Sequence, residues 1–412
     1  TSYGGAIGVG YWSASQNWGK AEVIDSTFTG NSANYGGAIS SYGSYKGYGE
    51  VSVTGSTFTG NTAANSGGAI YHTSAREFIL VDSTFTQNRA NGASASYGGG
   101  AIYTNKAMTV KESTFSGNSA TNGGVIFATG SAAVVTLDGA TLGGSVADAN
   151  SAVTGGGVYL TSGAGLNMVN GSVISHNSAS SGGGVAVVTT STFSSYTSTI
   201  TSDSTSSIHS NSATGSGGGI YASGPKLTLV LDGVTLGGAA GKGNTARDGG
   251  GIALASATVL SIDDTSVISH NAATGNGGGI HVASGLGLTL ADGFNINSNT
   301  AQYGGGIYMV SGALAITGPG TFSGNTASIS GGGIYSSAGT VSLAGSGSGL
   351  VFTGNIAKGT GTDTGGGAVY HKGAMTVTGN VQFIGNKAHA GAQVQTGTDR
   401  YGYCLLYTSP SP

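Results

Sequence analysis

The chain has 412 residues, 81 of them glycine, with 7% charged residues and a net charge of −3. With so little charge and no basic stripe, a phosphate-binding surface for nucleic acid or for an anionic membrane is excluded. No run reaches the roughly 18 apolar residues of a membrane-spanning helix. Abundant glycine without a three-residue period excludes collagen, and 38% hydrophobic residues recurring in register exclude disorder.

In chain order, one phrase of two or three glycines and an aliphatic residue recurs about every 30 residues, which is the mark of stacked coils. It first reads Gly4-Gly5-Ala6-Ile7, then Gly36-Gly37-Ala38-Ile39, and it ends as Gly366-Gly367-Ala368-Val369. Between phrases lie short alternating runs such as Glu50-Val51-Ser52-Val53, Met108-Thr109-Val110 and Leu288-Thr289-Leu290. Apolar residues at i and i+2, rich in Val, Ile and Thr, mark strands. A second motif follows: Phe28-x-x-Asn31, Phe58-x-x-Asn61, Phe85-x-x-Asn88 and Phe115-x-x-Asn118. Ile174-x-x-Asn177, Ile208-x-x-Asn211, Ile268-x-x-Asn271 and Ile296-x-x-Asn299 keep the spacing, and Phe322-x-x-Asn325, Phe352-x-x-Asn355 and Phe383-x-x-Asn386 restore the aromatic. Longer gaps at Arg89 to Tyr97 and Ile356 to Thr364 read as inserted loops.

The expected fold is all-β: a single-stranded, right-handed parallel β-helix of about thirteen coils, with about three strands per coil at ~4.8 Å per rung. Residues 1–395 form the helix and 396–412 an irregular tail whose native status the sequence leaves open. The start at Thr1, without Met or signal peptide, reads as a mature chain or a fragment. Inward Phe or Ile side chains would stack as a core ladder. Each Asn would occupy a corner, tolerate left-handed backbone geometry and continue an amide ladder along the axis. Gly37, Gly68, Gly100, Gly124, Gly279, Gly306 and Gly333 would supply a second corner, where a positive φ favours glycine.

The paired Gly-Gly-Ala-Ile and Phe-x-x-Asn motifs, intact at Phe28 to Ile39, Phe58 to Ile70 and Phe85 to Ile102, resemble the repeats of the polymorphic outer membrane protein family named in chlamydiae. The resemblance covers roughly residues 4 to 390. It implies an exported β-helical passenger involved in adhesion and, in bacterial members, a C-terminal outer-membrane barrel, for which this sequence holds no counterpart.

Candidate chemistry is sparse. Asp263-Asp264 is the only adjacent acidic pair and reads as a turn rather than as general acid and base. The seven His residues form no sequence cluster for a metal, and the lone Cys404 excludes a disulfide framework. Thr27/Thr29, Thr57/Thr59, Thr84/Thr86 and Thr114/Ser116 flank the inward Phe, so they point outward as a hydroxyl array similar to the flat Thr face of ice-binding solenoids. Tyr71, Tyr103, Phe127, Tyr159, Tyr221, Tyr308, Tyr335 and Tyr370 follow the glycine phrase and read as exposed aromatics for sugars or a protein partner, or as a ladder packing on itself. The one N-glycosylation acceptor is Asn170-Gly171-Ser172.

No catalytic residue, cofactor or metal is expected. The sequence reads as a non-enzymatic extracellular structural or adhesive protein, a surface rod or filament subunit. Its partners would be copies of itself, glycans or cell-surface proteins. A glycan- or ice-binding module is the alternative, and a polysaccharide-degrading enzyme is the weakest of the three.

Overall fold

The computed structural model describes residues 2–10, 19–43, 50–74, 76–192, 194–256, 258–263, 265–283, 285–290, 293–361 and 364–388. Cys404, Asp264 and the tail from residue 396 lie outside them. The chain divides into two units, Thr1–Thr214 and Gly215–Pro412. Each is a parallel β-solenoid, and no helix occurs among the described residues.

In the first unit every full turn carries four strands rather than three. The strand on the glycine phrase recurs seven times, from Ile7–Val9 through Ile39–Ser41, Ile70–His72 and Ile102–Thr104 to Val185–Val188. The alternating runs form a middle sheet from Lys20–Ile24 to Tyr196–Ser202, and Thr27–Thr29 to Ser207–His209 form the sheet of the Phe motif. The additional sheet is the segment after each Asn, such as Ser32–Tyr35, Thr62–Ser66 and Ser119–Asn122. This segment resembles a turn in sequence because it is small and polar. Its backbone nevertheless extends, since Thr62 donates to the Asn31 carbonyl at 2.9 Å and the alanines Ala33, Ala63 and Ala90 turn into the core. Register is strict: Phe28 pairs with Phe58, Phe58 with Phe85, and Phe85 with Phe115.

The second unit repeats the plan, with six strands on the glycine phrase from Ile220–Ser223 to Val369–His371. Its middle and Phe strands merge toward the C-terminal coils. Thr340–Thr353 pairs through Thr340 to Leu343 with Ala313–Ile316, and through Leu350 to Thr353 with Gly320–Ser323. One long strand thus replaces two strands and a corner.

Positive φ in the glycine phrase falls one residue or more before the expected corner: on Gly36 (64°), Gly67 (67°), Gly99 (74°) and Gly123 (64°), and on Gly277 (65°), Gly304 (61°) and Gly331 (68°). Gly37, Gly68, Gly100, Gly124, Gly279, Gly306 and Gly333 are required for a different reason, which is close backbone approach. A Cβ on Gly37 would stand 2.1 Å from the Gly68 carbonyl oxygen, and one on Gly279 would stand 2.6 Å from that of Gly306.

Candidate functional site

The conspicuous residues of each repeat converge on ladders that run from coil to coil. In the first unit the Asn31 backbone N–H and Nδ2 both donate to Asn61 Oδ1, at 3.0 and 2.9 Å. Asn61 repeats this toward Asn88, and Asn88 toward Asn118. Each Nδ2 also donates to the carbonyl of the aromatic residue one coil earlier, as Asn61 does to Phe28 at 2.9 Å and Asn88 to Phe58 at 2.9 Å. Asn61, Asn88 and Asn118 are fully buried, so these bonds satisfy amides that would otherwise be costly to bury. In the second unit Asn271, Asn299, Asn325, Asn355 and Asn386 continue the same pattern.

Two members of these ladders escape the Phe-x-x-Asn spacing. Asn118 donates to Asn150 Oδ1 at 2.9 Å, and Asn150 donates to Asn177 Oδ1 at 2.9 Å. Asn244 donates to Asn271 Oδ1 at 2.9 Å. In these coils Leu142 and Leu236, both fully buried, take the aromatic position, and loops separate them from the Asn. The signal that finds them is Asn-Ser-Ala or Asn-Thr-Ala before a glycine phrase, not the distance from an aromatic.

The left-handed backbone expected at Asn lies on the residue before it: Gly30, Gly60, Gln87, Gly117, His176 and Ser210 in the first unit, and His270, Ser298, Gly324, Gly354 and Gly385 in the second. The Asn must keep its N–H and its amide aimed at one acceptor, so the preceding residue absorbs the bend.

A serine ladder runs on the opposite side of the Phe strand. Ser26, Ser56 and Ser83 donate their N–H to the Oγ of Ser56, Ser83 and Ser113 at 3.0 to 3.1 Å, while Ser56 Oγ donates to the Thr54 carbonyl and Ser83 Oγ to that of Val81. Between the two polar ladders the rings of Phe28, Phe58, Phe85 and Phe115 stack at 4.8, 4.5 and 4.8 Å. Ile174 and Ile208 hold the same position later in this unit. Ile268, Ile296, Phe322 and Phe352 hold it in the second, all nearly or fully buried, and Phe383 there is half-buried.

The aromatics after the glycine phrase are not freely exposed. Tyr71, Tyr103, Phe127 and Tyr159 stack at 4.8, 5.2 and 4.9 Å, and in the second unit Tyr308, Tyr335 and Tyr370 do so at 5.2 and 5.1 Å. Phe127, Tyr159, Tyr335 and Tyr370 are buried, whereas Tyr71, Tyr103, Tyr221 and Tyr308 are half-buried. Burial pushes the Tyr71 and Tyr103 phenols up. A hydrogen bond with Tyr97 and then burial carry Tyr35 to about 12. A groove beside Tyr103, Phe127 and Tyr159 is rimmed by the hydroxyl-bearing Thr129, Thr161 and Thr190.

The titratable groups are dispersed. Burial alone would raise the Asp263 carboxyl, but hydrogen bonds from Ser266, Thr265 and the Gly233 N–H outweigh it and hold it near 2. It is a saturated turn acceptor, not a proton carrier. The rings of His176 and His209 meet edge-on at 6.3 Å, a contact their sequence positions do not suggest, and their Nδ1 atoms face Ser175 and Ser210. No group of three or more His, Cys, Asp or Glu able to hold a metal occurs among the described residues. The hydroxyls of Thr27/Thr29 through Thr114/Ser116 line one face in register, exposed or half-exposed. Asn170 is exposed at φ 55° with Nδ2 donating to Asp138, while Ser172 of the same acceptor sequence is buried.

A family model described as the Chlamydia polymorphic membrane protein repeat matches residues 25–42, 55–73, 82–105, 112–129, 205–223 and 319–337. Each stretch runs through the Phe or Ile strand, the ladder Asn and the glycine phrase, so the chain carries six copies of that repeat. No curated protein and no solved structure matches the chain.

Proposed function

We propose that this chain, with its six Chlamydia polymorphic membrane protein repeats, is a non-enzymatic structural or adhesive β-solenoid displayed at a cell surface. The observation that carries the reading is where the repeat spends its distinctive side chains. Asn, Ser and Phe are consumed by ladders that build the scaffold, and the outward positions beside them go to short uncharged residues such as Thr27, Thr29, Thr57 and Thr59. A surface of this kind repels its neighbours weakly, which suits lateral packing and association of copies end to end. The groove beside Tyr103, Phe127 and Tyr159 favours a second reading, a glycan held by aromatic stacking and hydroxyl contacts.

The test incubates the purified chain with a panel of polysaccharides and with intact cells, measuring retention, released reducing ends and, by light scattering and electron microscopy, polymer formation. Retention or polymers without sugar release support the proposal. Catalytic sugar release overturns it. Retention lost in a Tyr103→Ala variant of unchanged fold selects the glycan reading.

A further inference from the structure

His72 sits where a solenoid core should be apolar. It follows Ile70-Tyr71 on the glycine-phrase strand, is 1% exposed, and its ring lies 5.4 Å from that of the fully buried Phe78. Neither Nδ1 nor Nε2 has a hydrogen-bond partner. In register with it stand Ser41 in the preceding coil and Thr104 in the next. Farther along the same column come the apolar Ala128 and Leu160. We propose that His72 is an acid-operated weak point of the first unit: when the medium acidifies, the coil that carries it opens and takes the flanking coils with it.

The groups around the ring supply no counter-charge. Ser41 and Thr104 are neutral, Phe78 is apolar, and Thr104 Oγ1 is already engaged with Lys106 across their short turn. The charged residues nearby are Arg76, whose backbone favours the charged ring but less than burial opposes it, and Lys106, which opposes a second positive charge. Glu77, on the same turn as Arg76, is turned to the Thr109 hydroxyl at 2.7 Å. An imidazolium here would be buried, unpaired and beside a cation. Burial accordingly holds His72 down to about 4, whereas an unfolded histidine takes its proton near pH 6.5. The opened coil therefore binds more protons than the closed one between these values. Stability is full above about pH 6.5 and falls as the pH drops toward 4. His371 holds the corresponding inward position in the last glycine-phrase strand of the second unit, but its Nε2 lies 3.1 Å from the Ala374 carbonyl.

Hydrogen exchange of the full chain at pH 7 and pH 5, corrected for intrinsic rates, tests this. Protection of Ile39–Ser41, Ile70–His72 and Ile102–Thr104 should fall roughly tenfold or more at pH 5, with the coils around Val158–Thr161 unchanged. His72→Leu, which adopts the residue of Leu160 in the same column, should abolish the loss. His72→Thr, which adopts that of Thr104, serves if the leucine variant does not fold. Equal protection at both pH values, or a loss that persists in the variants, overturns the proposal. So does a His72 ring-proton titration centred near 6.5 in the folded chain.

Discussion

Two neighbouring coils of the first unit solve one problem differently. After Phe115 the chain reaches Asn118 in three residues, turning on Gly117 at φ 66°. After Leu142 it leaves the solenoid at Gly143, exposes Val146 to 82%, and re-enters only at Asn150. Both asparagines still arrive at the same ladder, linked by the 2.9 Å bond from Asn118 Nδ2 to Asn150 Oδ1. The coil thus fixes the position of an amide in space and leaves its distance along the chain free. The loop is held locally, with Ser145 Oγ bonded to Asp148 and the Asp148 carbonyl accepting from Gly117.

Removing each amide has the largest expected effect. Asn118→Ala strips an acceptor from Asn88 N–H and Nδ2 and a donor from Asn150 and Phe85. With buried groups left unmet, it should cost about 4 kcal/mol. Asn150→Ala should cost nearly as much; a loss under half that size in chemical denaturation would show that the looped coil is only loosely tied in. Next come the core partners. Phe115→Ala should cost about 3–5 kcal/mol and Leu142→Ala about 2–5 kcal/mol, by cavity formation in a fully packed ladder, read as lowered melting temperatures. Equal and small losses would mean that neither coil is packed.

Ser113→Ala is milder. It removes the acceptor for Ser83 N–H, but Ala140 already follows in that column, donating to Ser172 Oγ at 3.2 Å. About 1 kcal/mol is expected, and a loss as large as that of Asn118→Ala would place the serine ladder on a level with the asparagine one. The smallest effect belongs to the loop itself. Doubling its length by insertion after Val146 should cost about 0.6 kcal/mol, and a loss several times larger would show the loop conformation to be part of the scaffold.

The parallel solenoid and the Phe and Asn columns were legible because both motifs repeat at coil spacing. Asn150 and Asn244 were not, because a loop breaks the three-residue interval that made their neighbours visible. The serine ladder was hidden for another reason. Ser26 or Ser56 looks like any hydroxyl in a turn until the next coil supplies an Oγ acceptor for its N–H. The positive φ before the Asn of each Phe-x-x-Asn or Ile-x-x-Asn motif was illegible because Gly, Gln, His and Ser all occupy that place. For Tyr71 and Tyr103 the sequence left two readings open, exposed aromatics or a ladder packing on itself, because alternation assigns them outward; stacking between coils selects the ladder. His72 likewise shows its isolation only when the core around it is assembled.

The asparagine ladder has one more consequence. The rungs at Asn61 and Asn88 point the same way: two N–H groups face the higher-numbered coil, while the amide oxygen and the second Nδ2–H face the lower. A column of like-oriented amides has a direction, and its rungs polarise one another along it. At this column a coil that loses its higher-numbered neighbour is left with two Asn N–H groups aimed at nothing, whereas one that loses its lower-numbered neighbour is left with an amide oxygen stripped of both its donors. The column thereby gives the solenoid a sense of head and tail.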